Sequence, residues 1–242
     1  MQEMFGKYLD VLDAAEDYLS GGWKRDHGPR PTDLSPETGE ASGSDHGVEA
    51  EDRPEETLQS IAAEVHACQR CRLSETRRNA VPGEGVIYPK VMIIGEAPGA
   101  DEDATGHPFV GRAGQYLDKW LEAIGLDRRR DVFIGNIIKC RPPNNRDPLP
   151  DESDTCMPFL KRQVHIIRPR TILTLGRIAT HLLTGTSEGI GKLHGRQFEF
   201  QGIPLIPTYH PSGVLRNPVY RKPVWDDLRA LKSLIEQQEG KG

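Results

Sequence analysis

Four cysteines are the residues of this sequence whose type and spacing point most directly to chemistry. Cys68 and Cys71 form a C-x-x-C pair, and Cys140 and Cys156 follow with fifteen residues between them. Four thiolates can complete a tetrahedral zinc site or hold a cubane iron-sulfur cluster. Four unrelated buried thiols are the alternative, since free cysteine packs as a small apolar residue. The C-x-x-C spacing favours a ligand set, but spacing does not choose between zinc and iron.

A glycine- and proline-rich motif, GEAPG at Gly95–Gly99, directly follows an apolar run. Such a turn is rigid and lets backbone groups approach a ligand closely, although an ordinary strand-to-helix connection would use the same residues. Acidic residues come next at 101–103, and then GHPFVGRAG at 106–114. Acids beside Phe109, which Pro and Gly flank, indicate a polar pocket with a stacking platform. Phe109 would equally suit a core position.

Two polar side chains stand at or just beyond the ends of other apolar runs. Asn136 begins the segment NIIKCRPPNNR, and its amide can both donate and accept, which suits the edge of a base. His210 lies in YHPSGVLRN. A lone histidine is usually structural or solvated, but one beside a Pro/Gly loop with an apolar tip and an arginine suits a loop that probes DNA.

Placing these motifs together requires a scaffold whose strand ends meet at one edge. Apolar runs predict four strands, at Val91–Gly95, Val132–Ile138, Thr171–Leu175 and Pro204–Tyr209. Helical periodicity predicts helices at Arg112–Ile124, Glu152–Ile167, Arg177–Leu183 and Arg221–Gln237, and another around Leu58, Ile61 and Val65 that runs into Cys68. The alternation predicts an α/β protein of three layers, α/β/α, with a central parallel four-stranded sheet and ligands at the carboxyl ends of its strands.

The amino-terminal part differs from the rest in composition. The first 60 residues hold 15 acidic and 5 basic side chains, a net charge of -10 against -5 for the whole chain, so the remainder carries +5. A short amphipathic helix is predicted within residues 3 to 20, and a disordered linker at 21 to 55, where apolar side chains are nearly absent. We therefore expect an acidic extension at 1–55, with a protein partner for its helix, and a folded domain at 56–242.

Cellular location is also an expectation from composition. No signal peptide is readable, because acidic residues interrupt the first 20 positions, so a cytoplasmic protein is predicted. The longest apolar stretches, such as Val91–Ile94, fall far below the ~20 residues of a membrane span, so no membrane association is expected. The basic body fits a polyanionic partner, as it does many enzymes that never bind nucleic acid.

Taken together and in this order, the motifs GEAPG, GHPFVGRAG, NIIKCRPPNN and HPSGVLR resemble the family-4 uracil-DNA glycosylases, a group related to a domain of a phage DNA polymerase. The resemblance runs from Leu58 to Leu234. It implies the uracil-DNA glycosylase fold and a monofunctional, monomeric enzyme of base-excision repair. Such an enzyme hydrolyses the N-glycosidic bond of uracil in single- or double-stranded DNA and leaves an abasic site. It also implies a 4Fe-4S cluster held by the four cysteines.

The resemblance further implies a role for each residue that matches a family motif. The pocket would be lined by Glu96, Ala97 and Pro98. Phe109 would stack on the flipped base, Asn136 would read its Watson-Crick edge, and His210 would face O2. Glu102 and Asn145 would position water or the pocket, and the sequence does not rank Glu102, Glu96 and Asn145 as the residue that aligns the attacking water. Leu215 and Arg216 would enter the duplex where the uracil left.

Two other classes of protein share part of this pattern. A zinc-bound, non-catalytic nucleic-acid module would explain the basic body and the cysteines. An iron-sulfur electron carrier or redox sensor would explain a cluster. Neither accounts for Asn136, Phe109 and His210, and incubation with a uracil-containing oligonucleotide distinguishes both from a glycosylase.

Overall fold

A computed structural model describes residues 56–240. The helix predicted within residues 3 to 20 and the linker at 21 to 55 lie outside the described residues, so both remain predictions. The division of the chain at residue 55 likewise stays a prediction. None of the helices between residues 56 and 240 combines the length and the apolar character that a membrane span needs.

The sheet is built around short runs of aliphatic side chains. Its six strands are β1 (Glu84–Gly85), β2 (Val91–Gly95), β3 (Val132–Asn136), β4 (Thr171–Leu175), β5 (Phe198–Phe200) and β6 (Ile203–Thr208). Their order is β1-β3-β2-β4-β6-β5. The four inner strands, β3, β2, β4 and β6, run parallel, whereas β1 and β5 pair antiparallel at the two edges.

The predicted central parallel sheet of four strands is confirmed. Every residue of β2, β3 and β4 is buried, as expected for parallel strands covered on both faces. The pairing of β3 also continues past its end, because the N–H groups of Ile137 and Ile138 donate to the carbonyls of Gly95 and Glu96, both at 3.0 Å. The edge strands were not predicted, because strands of two and three residues carry no readable periodicity.

Helices cover both faces and confirm the three-layer prediction. They are α1 (Leu58–Ala67), α2 (Leu73–Thr76), α3 (Ala100–Thr105), α4 (Arg112–Ala123), α5 (Pro150–Ile167), α6 (Arg177–Thr184), α7 (Ile190–Leu193), α8 (Pro211–Arg216) and α9 (Arg221–Glu239). Single 3-10 turns lie at Pro143–Asn145 and Pro218–Tyr220. The helices predicted from periodicity are present, with ends shifted by one or two residues.

Strand residues alternate between two cores, and this alternation separates the functional motifs. Met92 and Ile94 pack with α1, α5, α6 and the cysteines on one face. Val91 and Ile93 pack with α4, α9 and Phe109 on the other. The carboxyl ends of the inner strands meet at one edge of the sheet, where Asn136 ends β3 and the turns after β2 and β6 begin.

Candidate active site

The turn after β2 is held by a carboxylate that sequence reasoning assigned to water or pocket positioning. Glu102, in the first turn of α3, accepts the N–H of Gly99 at 3.0 Å through Oε2. Its other oxygen, Oε1, accepts the N–H groups of Val110 at 3.0 Å and Gly111 at 3.1 Å. Both oxygens therefore bind backbone, and the side chain ties the GEAPG turn to the loop that carries Phe109.

Asn136 and Phe109 meet over Gly95. A Cβ atom at Gly95 would lie 2.4 Å from Asn136 Oδ1 and 2.7 Å from Phe109 Cζ, distances that real Cβ atoms do not show. Any side chain at this position would therefore displace both. The glycine at the end of β2 lets an amide and an aromatic ring share one small space.

The amide of Asn136 presents an acceptor that has no partner. The residue is 1% exposed, and its Oδ1 is buried without a hydrogen bond to any described residue. An unsatisfied buried carbonyl costs free energy, and such atoms in native proteins call for an explanation such as a ligand donor. The backbone carbonyl of Asn136 is in contrast satisfied, because it accepts from Lys139 Nζ at 2.7 Å.

His210 lies beside Phe109, with ring centroids 5.8 Å apart and planes tilted by 33°. Its Nδ1 accepts the backbone N–H of Ser212 at 3.2 Å and lies 2.8 Å from the Ser212 hydroxyl oxygen. Because Nδ1 accepts from a backbone donor, the neutral ring must carry its proton on Nε2. Burial, reinforced by the positive charge of Arg216 and opposed by Glu102, lowers the pKa of His210 to about 4. The ring is therefore a neutral Nε2 donor at pH 7.

Glu96 carries a carboxyl group whose pKa is shifted toward neutral pH. It is half-buried in the turn after β2. Its pKa is raised to about 7, chiefly by burial and also by the negative charge of Asp147, against the lowering effect of the positive charge of Arg177. Asp147 and Arg177 form an ion pair of 2.9 Å with each other. A group that titrates near the working pH can both accept and return a proton.

The remaining pocket candidates differ in where they lie. Pro98 is buried in the turn, whereas Ala97 packs against the core on the face that holds the cysteines. Asn145 is exposed in a 3-10 turn, with a left-handed φ of 53°, and its Oδ1 accepts from Arg141 Nε at 2.7 Å. The described contacts therefore tie Asn145 to its own loop and do not join it to the group of Phe109, Asn136 and His210.

The DNA-probing candidates lie at the end of a short helix that begins at the histidine. His210 is the N-cap of α8. Leu215, which is 41% exposed, and Arg216 occupy its last turn on the surface. The segment thus presents an apolar tip and a cation that are connected to the pocket through one turn of backbone.

The four cysteines surround one cavity on the other face of the sheet. Cys68 and Cys71 follow α1, Cys140 follows β3, and Cys156 lies in α5. All four line one small cavity that is partly open to solvent. Within residues 56–240, no set of three or more His, Cys, Asp or Glu side chains forms a group that could hold a metal ion directly.

Hydrogen bonds to sulfur accompany this arrangement. Arg77 donates to Cys140 Sγ at 3.0 Å and to the carbonyl of Cys68 at 3.0 Å, and the backbone N–H of Lys139 lies 3.3 Å from Cys156 Sγ. Burial raises the pKa of Cys156 to about 11, against the lowering effect of the Lys139 charge. The thiols must lose their protons to act as ligands. The binding free energy of a metal must therefore offset the cost of forming thiolates in a buried site.

Comparison of the sequence with known proteins shows which family the chain belongs to. The model of the uracil DNA glycosylase superfamily matches residues 82–229. A "Type-4 uracil-DNA glycosylase" of Saccharolobus solfataricus is 46% identical over 192 residues, which cover 76% of this chain and 88% of that protein. One from Sulfurisphaera tokodaii is 44% identical over 188 residues, which cover 74% of this chain and 85% of that protein.

The chain belongs to the type-4 uracil-DNA glycosylases. A "DNA polymerase" of Bacillus phage SP01 is also similar, with 31% identity over 164 residues that cover 68% of this chain and 18% of that protein. Both parts of the predicted resemblance, to the type-4 glycosylases and to a phage polymerase, are thereby confirmed.

The sequence analysis of this type-4 glycosylase did not identify several basic residues whose side chains donate to backbone carbonyls around the site and the cysteines. Lys139 is 1% exposed and donates from Nζ to the Asn136 carbonyl and to Gln163 Oε1, both at 2.7 Å. Arg77 and Arg128 likewise reach carbonyls of distant segments. Such residues carry no signal in a single sequence, because a charged side chain ordinarily indicates a solvated surface.

Proposed function

We propose that this protein is a uracil-DNA glycosylase that hydrolyses the bond between C1′ of deoxyribose and N1 of uracil and leaves an abasic site. Single- and double-stranded DNA are both substrates. One observation carries the proposal: the buried, unpartnered Oδ1 of Asn136 lies beside the ring of Phe109, which in turn lies beside the ring of His210. A base that presents a single N–H between two carbonyls satisfies this pocket.

Recognition follows from the hydrogen-bonding pattern of the base. Uracil N3–H donates to Asn136 Oδ1, and the Asn136 amide N–H donates to O4. Phe109 offers a face on which a base extruded from the duplex stacks. Cytosine reverses the pattern, because its N3 has no hydrogen and an amino group replaces O4, so both contacts become unfavourable.

Departure of the base places negative charge on uracil and positive charge on the sugar. Nε2–H of His210 donates to uracil O2, where part of the negative charge develops. A neutral donor suits this role, since it stabilises the anion and does not protonate it. The DNA phosphates stabilise the oxocarbenium-like sugar, so the bond breaks without a protein nucleophile.

Water then attacks C1′, and a base must accept its proton. We assign this role to Glu96, whose pKa of about 7 suits it. Glu102 has both carboxylate oxygens bonded to backbone N–H groups. Asn145 is bonded to Arg141 in its own loop. The sequence left these three residues unranked; the contacts favour Glu102 as a support for the pocket and Glu96 as the base.

We further propose that Cys68, Cys71, Cys140 and Cys156 hold a 4Fe-4S cluster. Each thiolate of a cubane binds a different iron, so the four sulfurs must surround a space, and these four surround one cavity. When bound, the cluster supplies a rigid, redox-capable cross-link. The residues themselves tie the segment after α1 to the loop after β3, which begins directly after Asn136 and contains Cys140.

The DNA contact completes the proposal. Leu215 and Arg216 enter the space that the extruded uracil leaves, because they are exposed at the far end of the six-residue helix that begins after His210. All proposed site residues lie in one chain, so we propose that the protein works as a monomer. We further propose that it works in the cytoplasm, where DNA is its partner. The partner of the amino-terminal extension would be a protein.

The test is release of uracil from a defined oligonucleotide. Purified, cluster-loaded protein is incubated in EDTA with an oligonucleotide that contains one uracil, and alkali then breaks any abasic site. We expect cleavage at the uracil alone, and none in the matched oligonucleotide with cytosine. No cleavage by fully loaded protein would refute the enzymatic function.

Loss of one cluster ligand is expected to remove colour and stability together. Cys140→Ala deletes a thiolate that accepts from Arg77 and lies 6% exposed in the core. We expect brown colour, iron and acid-labile sulfide to fall below stoichiometric levels and the melting temperature to fall. Ser153→Ala, a buried change in the same region, should keep the iron. Stoichiometric zinc without iron in anaerobically purified protein would exclude the cluster.

Deletion of residues 1–55 is expected to leave glycosylase activity on short oligonucleotides within about twofold of the full chain. Every proposed site residue lies beyond the deleted segment. The truncated chain also keeps Glu56, whose Oε1 accepts from Arg162 Nε at 2.7 Å. Steady-state kinetics of both proteins make the comparison. A large fall in kcat for a well-folded truncation would place the extension in the active site.

The activity is expected to rise with pH through about 7 and then level off. Glu96 must be ionised to accept a proton from water, and its raised pKa places that ionisation near pH 7. Glu96→Gln should abolish this limb and lower kcat about 100-fold or more. Asp147→Asn should shift the limb to lower pH and Arg177→Gln to higher pH. A profile that none of the three variants moves would remove Glu96 from the mechanism.

A further inference from the structure

The loop that presents Phe109 has an unfavourable backbone conformation. Phe109 has a φ of 51°, in the left-handed region that bulky side chains rarely adopt. Its ring is nevertheless 6% exposed and fixed beside Gly95 and His210. Something other than local preference must therefore hold this peptide, because a free chain would relax to a negative φ.

The two carbonyls of this loop accept from one guanidinium. Arg128, in the turn between α4 and β3, donates from Nη2 to the Pro108 carbonyl at 2.6 Å and from Nη1 to the Phe109 carbonyl at 3.0 Å. Asp118 of α4 binds the same Nη1 at 2.8 Å and orients the group. The planar fork of arginine is suited to two acceptors on adjacent peptides.

The other sides of the loop are closed as well. The N–H groups of Val110 and Gly111 donate to Glu102, so opposite charges hold the peptides that precede and follow the ring. Gly114, in the first turn of α4, packs so closely that a Cβ there would lie 1.8 Å from the Phe109 carbonyl oxygen. Gly114 thus closes one side of that carbonyl, and Arg128 donates to it.

We propose that Arg128 is a positioning residue for catalysis, which fixes the plane of the Phe109 ring on which the uracil stacks. The inference rests on the proposed function, because the ring has a catalytic consequence only if a base binds against it. Arg128 touches neither the base nor the sugar. Its effect on the reaction passes entirely through Phe109.

The test is a double-mutant cycle between Arg128 and Phe109 on an oligonucleotide with one uracil. Arg128→Met keeps the length of the side chain and removes the fork. In the wild-type background we expect it to lower kcat/KM about tenfold to 100-fold, since small misplacements of a binding group have effects of that size. In the Phe109→Ala background it should lower kcat/KM by less than about threefold, because the ring that it positions is gone.

Matched variants separate positioning from folding. Arg129→Met changes an exposed neighbour and should stay within about threefold of wild type. Arg128→Lys supplies one point charge without a fork and should show an intermediate loss. If Arg128→Met does not fold, Arg128→Lys replaces it in the cycle.

Product inhibition provides a second measurement. The inhibition constant of free uracil should rise in Arg128→Met and not in Arg129→Met, since the free base stacks on the same ring. Equal losses of kcat/KM from Arg128→Met in both backgrounds would show a general structural role and overturn the inference. Wild-type protein that released no uracil would instead refute the proposed function, so the two failures are distinguishable.

Discussion

Replacing Asn136 by Asp is expected to abolish uracil release almost completely and to create weak release of cytosine. An ionised Asp places a carboxylate oxygen against uracil O4 where the wild-type amide donates, so one contact becomes repulsive and the other remains. Unsatisfied buried groups cost about 1–3 kcal/mol each, and a buried charge costs more. A fall of at least about 100-fold in kcat/KM on uracil follows, because both the base and its reader then present acceptors at O4.

Cytosine activity arises from the same change in pattern. An ionised Asp accepts from the cytosine amino group, and a protonated one also donates to the bare N3. Asn136→Ala serves as the matched control, since it removes the reader without supplying a new pattern and should lose uracil activity with no gain on cytosine. Asn144→Asp controls for an added charge at an exposed position. Wild-type kcat/KM on uracil in both folded, cluster-loaded Asn136 variants would show that another residue reads the base.

The scaffold was largely readable from the sequence because the inner strands are buried on both faces. Runs of aliphatic and β-branched residues such as Val91–Ile94 and Thr171–Leu175 contain no solvent-facing position that would require a charged side chain. The position and length of each strand can therefore be read from the sequence. The two-residue strand Glu84–Gly85 is exposed along its whole length and has no such signal. Its pairing with β3 depends on tertiary context alone.

The site was predictable as a set of residues but not as a set of contacts. Asn136 ends one parallel strand and His210 follows another, so their placement at the same end of the sheet follows from topology. The role of Glu102 does not, because a carboxylate near a Gly/Pro turn fits water activation and loop support equally well. Only the positions of the Val110 and Gly111 amides distinguish the two roles.

Distant supports show the same limit. Lys139 is fully surrounded by protein, yet nothing in NIIKCRPPNNR distinguishes it from a solvated lysine. Its burial is tolerated because Nζ has two acceptors, one of them the carbonyl of the residue that reads the base. A buried charged side chain can therefore be recognised only when the packing around it is known.

Removal of the His210 donor is expected to lower kcat about 100-fold to 1000-fold, the loss typical of one donor to a developing oxyanion, which corresponds to about 2.7–4 kcal/mol. His210→Ala also deletes the N-cap of α8, so part of its effect would be a loss of stability. His210→Asn keeps a cap that accepts from Ser212 and lacks the reach to O2. It should lose kcat as His210→Ala does while it keeps the melting temperature of the wild type.

The protonation state of His210 can be measured directly, and it decides whether the ring can donate from Nε2. Because its pKa is lowered to about 4, the folded protein holds the ring neutral, whereas the unfolded chain protonates it near 6.5. This contribution to stability is complete above pH 6.5 and is lost progressively as the pH falls toward 4. Nitrogen-15 NMR of labelled histidine should show a neutral ring with the proton on Nε2 at pH 7. A cationic ring at that pH, or a proton on Nδ1, would leave uracil O2 without the proposed donor, and the charge on the leaving base would have to be stabilised by another group.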